Sequence, residues 1–197
     1  MQTLRILRDE HRTMAAVLHG FRYLVREIHA ERAAPDFALL GSMLHYIDTF
    51  PERLHHPKED AYLFRALRSR CQAAHNVLDR LESEHRAGAG KIRQLHQSLN
   101  RYQQGGPDEF HAFHAMVEAY CAFEFAHMRV EETEMMPLAE RYLTAGDWDG
   151  IDRAFLDHED PLFGIESSEG FRELFKRIVN LAPPPIGVGP TPPRPSE

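Results

Sequence analysis

Apolar residues recur every three to four positions along most of the chain, and Gly and Pro interrupt this pattern only at wide intervals. Such a period is typical of amphipathic helices. The pattern predicts four long helices and two short ones, spanning about residues 4–32, 36–70, 75–104, 107–143, 147–158 and 171–181. No alternating run is long enough to form a strand, so the predicted fold class is all-α.

Short connections between the four long helices favour an antiparallel, up-down four-helix bundle. We expect residues 1–160 to form this bundle, residues 161–181 a short C-terminal helical extension, and residues 182–197 a tail. The tail is rich in Pro and has too little apolar surface to fold alone, so a flexible or extended conformation is expected. The second helix is unusual, because Pro51 and Pro57 lie inside it.

Composition and charge narrow the classes of function. The 197 residues carry a net charge of −7 and contain no basic block, which argues against nucleic-acid binding. No apolar run approaches the ~20 residues that a membrane span needs. The two cysteines, Cys71 and Cys121, are far apart, which argues against a disulfide framework and is typical of the reducing cytoplasm. We therefore expect a cytoplasmic protein without nucleic-acid or membrane partners, and no interface signature decides whether it forms a homodimer.

The 13 histidines stand out in this composition, because His is the commonest metal ligand and carries protons near neutral pH. His11 in the first helix and His85 in the third lie in register with the apolar stripe of their helix and should face the bundle interior. On the fourth helix, Glu131 follows His127 by one turn on a largely apolar face, where an unpaired carboxylate is costly to bury.

The second helix repeats this motif, since Glu59 follows His55 by one turn. In an up-down bundle the candidate positions of all four helices lie roughly 12 to 22 Å from the same end, at 1.5 Å per residue. The four helices should therefore bring His and Glu side chains to one layer of the core.

Neutral imidazole and carboxylate are ligands that iron, manganese and zinc accept. A bound cation offsets the cost of burying Glu59 and Glu131, and carboxylates bridge two metal ions in other helical bundles. No thiolate is among the candidates, so a structural tetrahedral zinc site is less natural. The pattern predicts a buried metal site formed by His11, His55, Glu59, His85, His127 and Glu131.

These motifs resemble those of the hemerythrin-like, HHE cation-binding family. The resemblance covers about residues 3–160 and rests on Asp9-Glu10-His11, His55-x-x-x-Glu59, Glu84-His85 and His127-x-x-x-Glu131-Glu132. It implies a four-helix bundle around a non-haem iron site, usually of two ions with a bridging oxo or hydroxo group; manganese or zinc would also suit the donors. It further implies a protein that binds or reacts with oxygen, or that serves in responses to iron, oxygen or nitric oxide.

The third helix departs from the family pattern. The oxygen carriers of this family have two histidines there, four residues apart, whereas the positions four residues from His85 hold Leu81 and Ala89, which cannot bind a metal. One iron would therefore lose a His ligand.

Two residues are candidates to replace it. His56 adjoins His55, and Pro57 disfavours ordinary helical geometry at that point, so that both imidazoles could turn inward. Glu82 precedes His85 by three positions, in the carboxylate-x-x-His arrangement of di-metal bundles. We rank His56 above Glu82.

Three function hypotheses follow. The first is a non-haem iron protein, expected to hold two irons, that binds or senses oxygen, nitric oxide or peroxide. The second is a di-iron oxidoreductase that turns over one of these molecules with an electron donor. The third is a structural or partner-binding bundle that the metal only stabilises. The changed third helix weakens the interpretation as a reversible oxygen carrier, because a more open or carboxylate-rich site favours oxidised iron and exchangeable ligands.

Overall fold

A computed structural model describes residues 1–156, 176, 178–180, 182, 187 and 189. These residues contain no strand, in agreement with the all-α prediction. The helices are α1 (Gln2–His29), α2 (Phe37–Phe50), α3 (His56–Lys58), α4 (Arg65–Arg70), α5 (His75–Gly105), α6 (Phe110–Val130), α7 (Met136–Tyr142) and α8 (Ala145–Leu156). Three π-helical turns lie between them, at Pro51–His55, Glu59–Phe64 and Glu131–Met135.

Four bundle helices result from these elements. The first is α1, the second is the continuous run from α2 to α4, the third is α5, and the fourth runs from α6 to α7. Each packs against two neighbours, in the circular order first, second, third, fourth. Neighbours are antiparallel: Arg26 late in α1 pairs with Glu118 in α6, whereas His11 early in α1 contacts Glu132 beyond α6.

The second bundle helix begins where the sequence predicts. The Asp36 carboxylate caps it by accepting a hydrogen bond from the amide of Leu39 at 2.9 Å. The helix then continues through both prolines, with Pro51 opening a π turn and Pro57 inside α3. Because proline has no amide hydrogen to donate, a local change of hydrogen-bond register lets the helix accommodate it.

Two apolar clusters fill the bundle, one toward each end. The first cluster, around Phe21, Met43 and Phe113, spans the end of α1 and the start of α2 and α6. The second cluster, around Leu7 and Met136, lies at the other end. Each large side chain buried in this way stabilises the fold by about 1.5–3 kcal/mol. A layer of buried polar side chains separates the clusters, comprising His11, His55, His56, Glu59, His85, Glu124, His127 and Glu131.

Helix α8 covers the end of the bundle that holds the second cluster. It contributes to that cluster Trp148, Ile151 and Phe155. Its Asp152 carboxylate accepts hydrogen bonds from the amides of Gln2 and Thr3, at 3.0 and 2.7 Å, and from the Thr3 hydroxyl at 2.6 Å. No side chain from the start of α1 caps that helix, so the cap comes from α8.

The predicted short helix at 171–181 lies mostly outside the described residues. Within it, residues 176 and 178–180 are helical, and Ile178 is buried in the first cluster. In the tail, Ala182 is buried in the same cluster, and its carbonyl accepts a hydrogen bond from the amide of Gly189 at 2.8 Å. The other residues of the tail, and residues 157–160 of the expected bundle, lie outside the described part.

No helix in the described part of the chain combines the length and apolarity needed to cross a bilayer. Cys71 and Cys121 are both buried free thiols. Burial raises the pKa of Cys121 to about 12, so this thiol packs in the core as a neutral group.

Candidate metal centre

Two groups of His and Glu side chains occupy the polar layer between the apolar clusters. The two-His group consists of His11, His55, Glu59 and Glu131. The three-His group consists of His56, His85 and His127. Within each group the potential ligand atoms lie within 4.8 Å of one another, and every member is buried. No other group of this kind occurs among the residues that the structure describes.

Glu131 lies between the two groups and contacts both. Its Oε2 is 3.2 Å from Nε2 of His11 in the two-His group, and its Oε1 is 3.1 Å from Nε2 of His127 in the three-His group. The side chain is fully buried at the first position of a π turn. One carboxylate with an oxygen facing each group has the arrangement needed to bridge two metal ions.

Glu59 occupies an equivalent position on the second bundle helix. Its Oε2 lies 3.5 Å from Nε2 of His55 and 3.7 Å from Nε2 of His85. It too is fully buried and begins a π turn. Glu59 therefore also faces one imidazole of each group.

Four of the five imidazoles form a hydrogen bond with a carboxylate of a neighbouring bundle helix. In each pair the His Nδ1 donates to the carboxylate at 2.8 or 2.9 Å, and the pairs are His11–Glu132, His55–Glu10, His85–Asp60 and His127–Glu84. This bond orients the ring and leaves Nε2 free to bind a metal, as in many metal sites. We call these four pairs the carboxylate ring, because they link the first helix to the second, the second to the third, the third to the fourth, and the fourth to the first.

Sequence reasoning missed the function of these four carboxylates. A signal was present, because each acid is adjacent in the sequence to a candidate ligand: Glu10, Asp60, Glu84 and Glu132 follow or precede His11, Glu59, His85 and Glu131. The partner imidazole lies on another helix, so it becomes visible only in the folded chain.

The two groups fit a metal centre because several of their buried polar atoms have no hydrogen-bond partner. The buried atoms without a hydrogen-bond partner include Nε2 of His11 and His55 and both carboxylate oxygens of Glu59 and Glu131. Buried polar atoms of this kind are costly unless something compensates them. Nε2 of His85 also lies 3.1 Å from Nε2 of His127, so two lone pairs oppose each other when both rings are neutral. Metal cations held between these atoms would satisfy them.

Protons partly take the place of a cation in the metal-free chain. Burial and the charge of Glu131 raise the pKa of Glu59 well above its usual range. Burial alone would lower the pKa of His127, but the charge of Glu131, whose Oε1 lies 3.1 Å away, and the hydrogen bond to Glu84 raise it to about 9. Burial would raise the pKa of Glu131, yet the charge of His127 and contacts with the imidazoles lower it. Because metal ligands must be deprotonated, metal binding should release protons here.

The structure separates the two candidates for the missing third-helix ligand. It places His56 in the three-His group, with its ring stacked on that of His85 at a centroid distance of 4.2 Å. Glu82 belongs to neither group, and its carboxylate pairs with Arg68 at 3.0 Å. The structure therefore favours His56 over Glu82 as the candidate ligand, since the partner of Glu82 is an arginine that the helical wheel of α5 cannot reveal.

Three more buried polar residues adjoin the three-His group. The Tyr120 hydroxyl donates to Oε1 of Glu52 at 3.2 Å, and Oε2 of Glu52 lies 3.9 Å from Nδ1 of His56. Burial and the charge of Glu124 raise the pKa of Glu52 to about 8, and burial raises that of Glu124 to about 7. Sequence reasoning gave Tyr120 as a core residue or a hydrogen-bonding neighbour of the site. It did not identify Glu52, which lies within the π turn at Pro51–His55 and has a buried side chain.

The other histidines that the structure describes belong to neither group. Three of them meet near the other end of the bundle, where the ring of His29 stacks on that of His114 at 4.4 Å and lies 5.9 Å from that of His111. Sequence reasoning found no convergence there, because His29 lies on a different helix from His111 and His114 and two of the three residues are exposed.

The fold and the site together define a helical bundle whose core carries a buried His/Glu centre suited to metal cations. A sequence model of the Hemerythrin HHE cation binding domain matches residues 2–139, a range that includes both groups. The chain belongs to this family, which confirms the resemblance noted in the sequence and implies that it binds metal. A search of curated proteins finds no match to the chain.

Proposed function

We propose that the protein is a non-haem di-iron protein whose centre binds or senses oxygen or a related small oxidant, such as nitric oxide or peroxide. The observation that carries this proposal is the position of Glu131, with one carboxylate oxygen 3.2 Å from His11 of the two-His group and the other 3.1 Å from His127 of the three-His group. A carboxylate between two donor groups supports two ions rather than one.

The donor set supports iron as the resident metal. Five imidazoles and two carboxylates, without a thiolate, suit iron or manganese better than a structural zinc. His56, His85 and His127 would hold one ion, His11 and His55 the other, and Glu59 and Glu131 both. Iron bound in this way supplies reversible redox change and exchangeable coordination positions for small ligands.

The chain's own residues determine how such a centre behaves. The carboxylate ring orients four imidazoles and keeps a free Nε2 on each, while the apolar clusters above and below exclude bulk water. The Tyr120 hydroxyl and the Glu52 carboxyl hold a hydrogen bond beside His56. The protein therefore orients the imidazoles, keeps bulk water away from the metal site and places hydrogen-bonding groups beside it.

The first test is elemental analysis and an optical spectrum of protein that has been purified anaerobically and reconstituted with iron, before and after exposure to air. We expect close to two irons per chain and a new near-ultraviolet band on oxidation. Glu131→Ala should lose most of the iron, because the variant lacks the carboxylate common to both groups. Glu118→Ala is the matched control, since Glu118 lies on the same helix but pairs with Arg26 at the surface. One iron or none in the wild type, without a spectral change, would contradict the proposal.

A di-iron oxidoreductase is the second candidate, and the inequality of the two groups favours it. One group offers two imidazoles and the other three, so the two ions would be coordinated unequally, which leaves a position for an exchangeable ligand at the centre. Steady consumption of peroxide or nitric oxide with an electron donor would support the enzyme. A stable adduct that forms and reverses without turnover would support binding or sensing.

A further inference from the structure

An open cleft lies between α5 and the second bundle helix, with Glu52 among the residues that line it. Its volume is about 440 Å³, and Asp48, Glu52, Ala89, Arg93, His96 and Gln97 contribute to its wall. Both polar and apolar atoms line it, and none of these residues belongs to the two metal-binding groups. The cleft thus reaches toward the centre from the surface without including a candidate ligand.

Glu52 forms the inner end of this cleft. Its side chain is only 3% exposed, and its Oε2 lies 3.9 Å from Nδ1 of His56 in the three-His group. Its other carboxylate oxygen accepts the hydrogen bond from Tyr120. The same side chain therefore borders the cleft on one side and a metal-facing imidazole on the other.

Gly88 on α5 provides the space for this arrangement. A Cβ atom at Gly88 would lie 2.6 Å from Oε1 and 2.9 Å from Oε2 of Glu52, which is closer than such atoms approach. A buried Gly within a long helix is unfavourable for the helix itself. Its presence opposite Glu52 leaves room for the carboxylate to lie between the cleft and the centre.

Among the five imidazoles of the two groups, only that of His56 donates no hydrogen bond to a carboxylate. The other four rings are each closed off by a carboxylate at 2.8 or 2.9 Å. Nδ1 of His56 is buried and has no hydrogen-bond partner among the described residues. The contact between Glu52 and His56, at 3.9 Å, is looser than the pairs of the carboxylate ring, and Glu52 also lines the cleft.

We propose that this cleft is the route by which a diatomic or triatomic ligand enters and leaves the metal centre, with Glu52 narrowing its inner end beside His56. This inference rests on the proposed function, since it requires a centre that exchanges a small ligand. In the proposed route, Ala89 and Gln97 form the outer wall and Glu52 forms the narrowest point.

The test is stopped-flow measurement of azide binding to and release from the iron-loaded, oxidised protein. Ala89→Phe fills the cleft with a large ring and should slow azide association and dissociation together, by about tenfold or more, while the equilibrium constant stays unchanged. An obstruction in a route changes both rates equally, whereas a change at the metal alters the equilibrium constant. The matched control is Ala87→Phe, because Ala87 is exposed on the same helix and does not border the cleft.

Glu52→Ala tests the inner end and should speed both association and dissociation, because it removes the side chain that narrows the route. Iron content and circular dichroism verify each variant. If Ala89→Phe loses iron or does not fold, the azide rates are measured on Gln97→Trp instead, since Gln97 is exposed at the cleft wall. Wild-type azide rates in the folded, loaded Ala89→Phe or Gln97→Trp variant would overturn the route alone. An iron-loaded wild type that binds no azide would overturn the proposed function and the route together.

Discussion

At the scale of single residues, the centre depends on carboxylates that are buried without ordinary partners. Glu131 and Glu59 are fully buried, and none of their four oxygens has a hydrogen-bond partner among the described residues. The idealised cost of moving one carboxylate from water to a medium of low dielectric is of order 20 kcal/mol, and several kcal/mol remain after relaxation. Natural sequences retain such groups where a cation or a catalytic role compensates them. The residues that destabilise the metal-free fold are therefore the ones that make the metal site.

His56 provides a residue-scale prediction. His56→Ala should lower the metal content from about two ions per chain toward one, because the three-His group loses one of its three imidazoles. Glu82→Ala should leave the metal content unchanged, because the structure pairs Glu82 with Arg68 rather than with the centre. Elemental analysis of the two purified variants under identical loading checks both expectations. Equal metal loss in the two variants would contradict the assignment of His56.

Part of the centre was predictable from single residues and part was not. The helical face and the height along the bundle pointed to His11, His85 and the two His/Glu pairs, and the structure brings all of these side chains into one layer. The choice between His56 and Glu82 could not be settled, because it depends on the position of Arg68 and on a local change of helical geometry. Both are properties of the folded chain rather than of a spacing.

At the scale of elements, the π turns explain how neighbouring residues face different groups. His55 ends one π turn and His56 begins α3, yet His55 belongs to the two-His group and His56 to the three-His group. A π turn inserts an additional residue into the helix and shifts the faces that follow. Helical wheels with a constant angle cannot predict this shift. The helix boundaries were easier to predict, because caps and Gly or Pro residues mark them, as at Asp36.

The cap of α1 provides an element-scale prediction. Asp152 on α8 accepts hydrogen bonds from Gln2 and Thr3, and although burial would raise its pKa, these hydrogen bonds lower it to about 2. Asp152→Ala should reduce the free energy of unfolding at neutral pH by about 1 kcal/mol. Since the pKa in the folded state lies below that of the unfolded chain, the ionised carboxylate contributes its stability above about pH 4 and loses it as the pH falls toward about 2.

The measurement is urea denaturation of Asp152→Ala and the wild type from pH 7 to pH 3. The difference in unfolding free energy between the two proteins should shrink toward the acidic end. Asp149→Ala is the control, because Asp149 lies on the same helix and is exposed. A difference between wild type and Asp152→Ala that stays constant with pH would show that the ionised carboxylate is not what caps α1.

At the scale of the whole molecule, the polar layer divides one bundle into two apolar halves. Each half has its own cluster, and the His and Glu side chains between them are the only buried charges that join all four bundle helices in the described part of the chain. Without a bound cation, this layer buries carboxylate oxygens that protons compensate only in part. With metal, the same layer connects the four helices through one centre.

Metal removal should therefore lower the thermal stability of the whole bundle. A ligand present at about a thousand times its dissociation constant stabilises the folded state by about 4 kcal/mol. For a chain of this size, that corresponds to a fall in Tm on the order of 10 °C when a chelator removes the metal. Differential scanning calorimetry of loaded and chelated protein measures the change, and Glu131→Ala should show little difference between the two conditions. An unchanged Tm in the wild type would mean that the centre does not join the helices.

The carboxylate ring has a consequence for the chirality of the molecule. The acid precedes the neighbouring ligand on the first and third helices, as with Glu10 and Glu84, and follows it on the second and fourth, as with Asp60 and Glu132. Each step along a right-handed helix rotates the side chain by about 100°. Viewed from one end, a step backward on a receding helix and a step forward on an approaching helix turn in the same sense.

All four acids are therefore displaced to the same side and reach the next helix in one circular direction. In a bundle of the opposite hand, Glu10 would face the fourth helix and not His55 on the second. An apolar pattern alone is compatible with either hand of an up-down bundle. Here each acid lies one residue before its neighbouring ligand on the first and third helices and one residue after it on the second and fourth. This alternation is compatible with only one hand of the four-helix bundle.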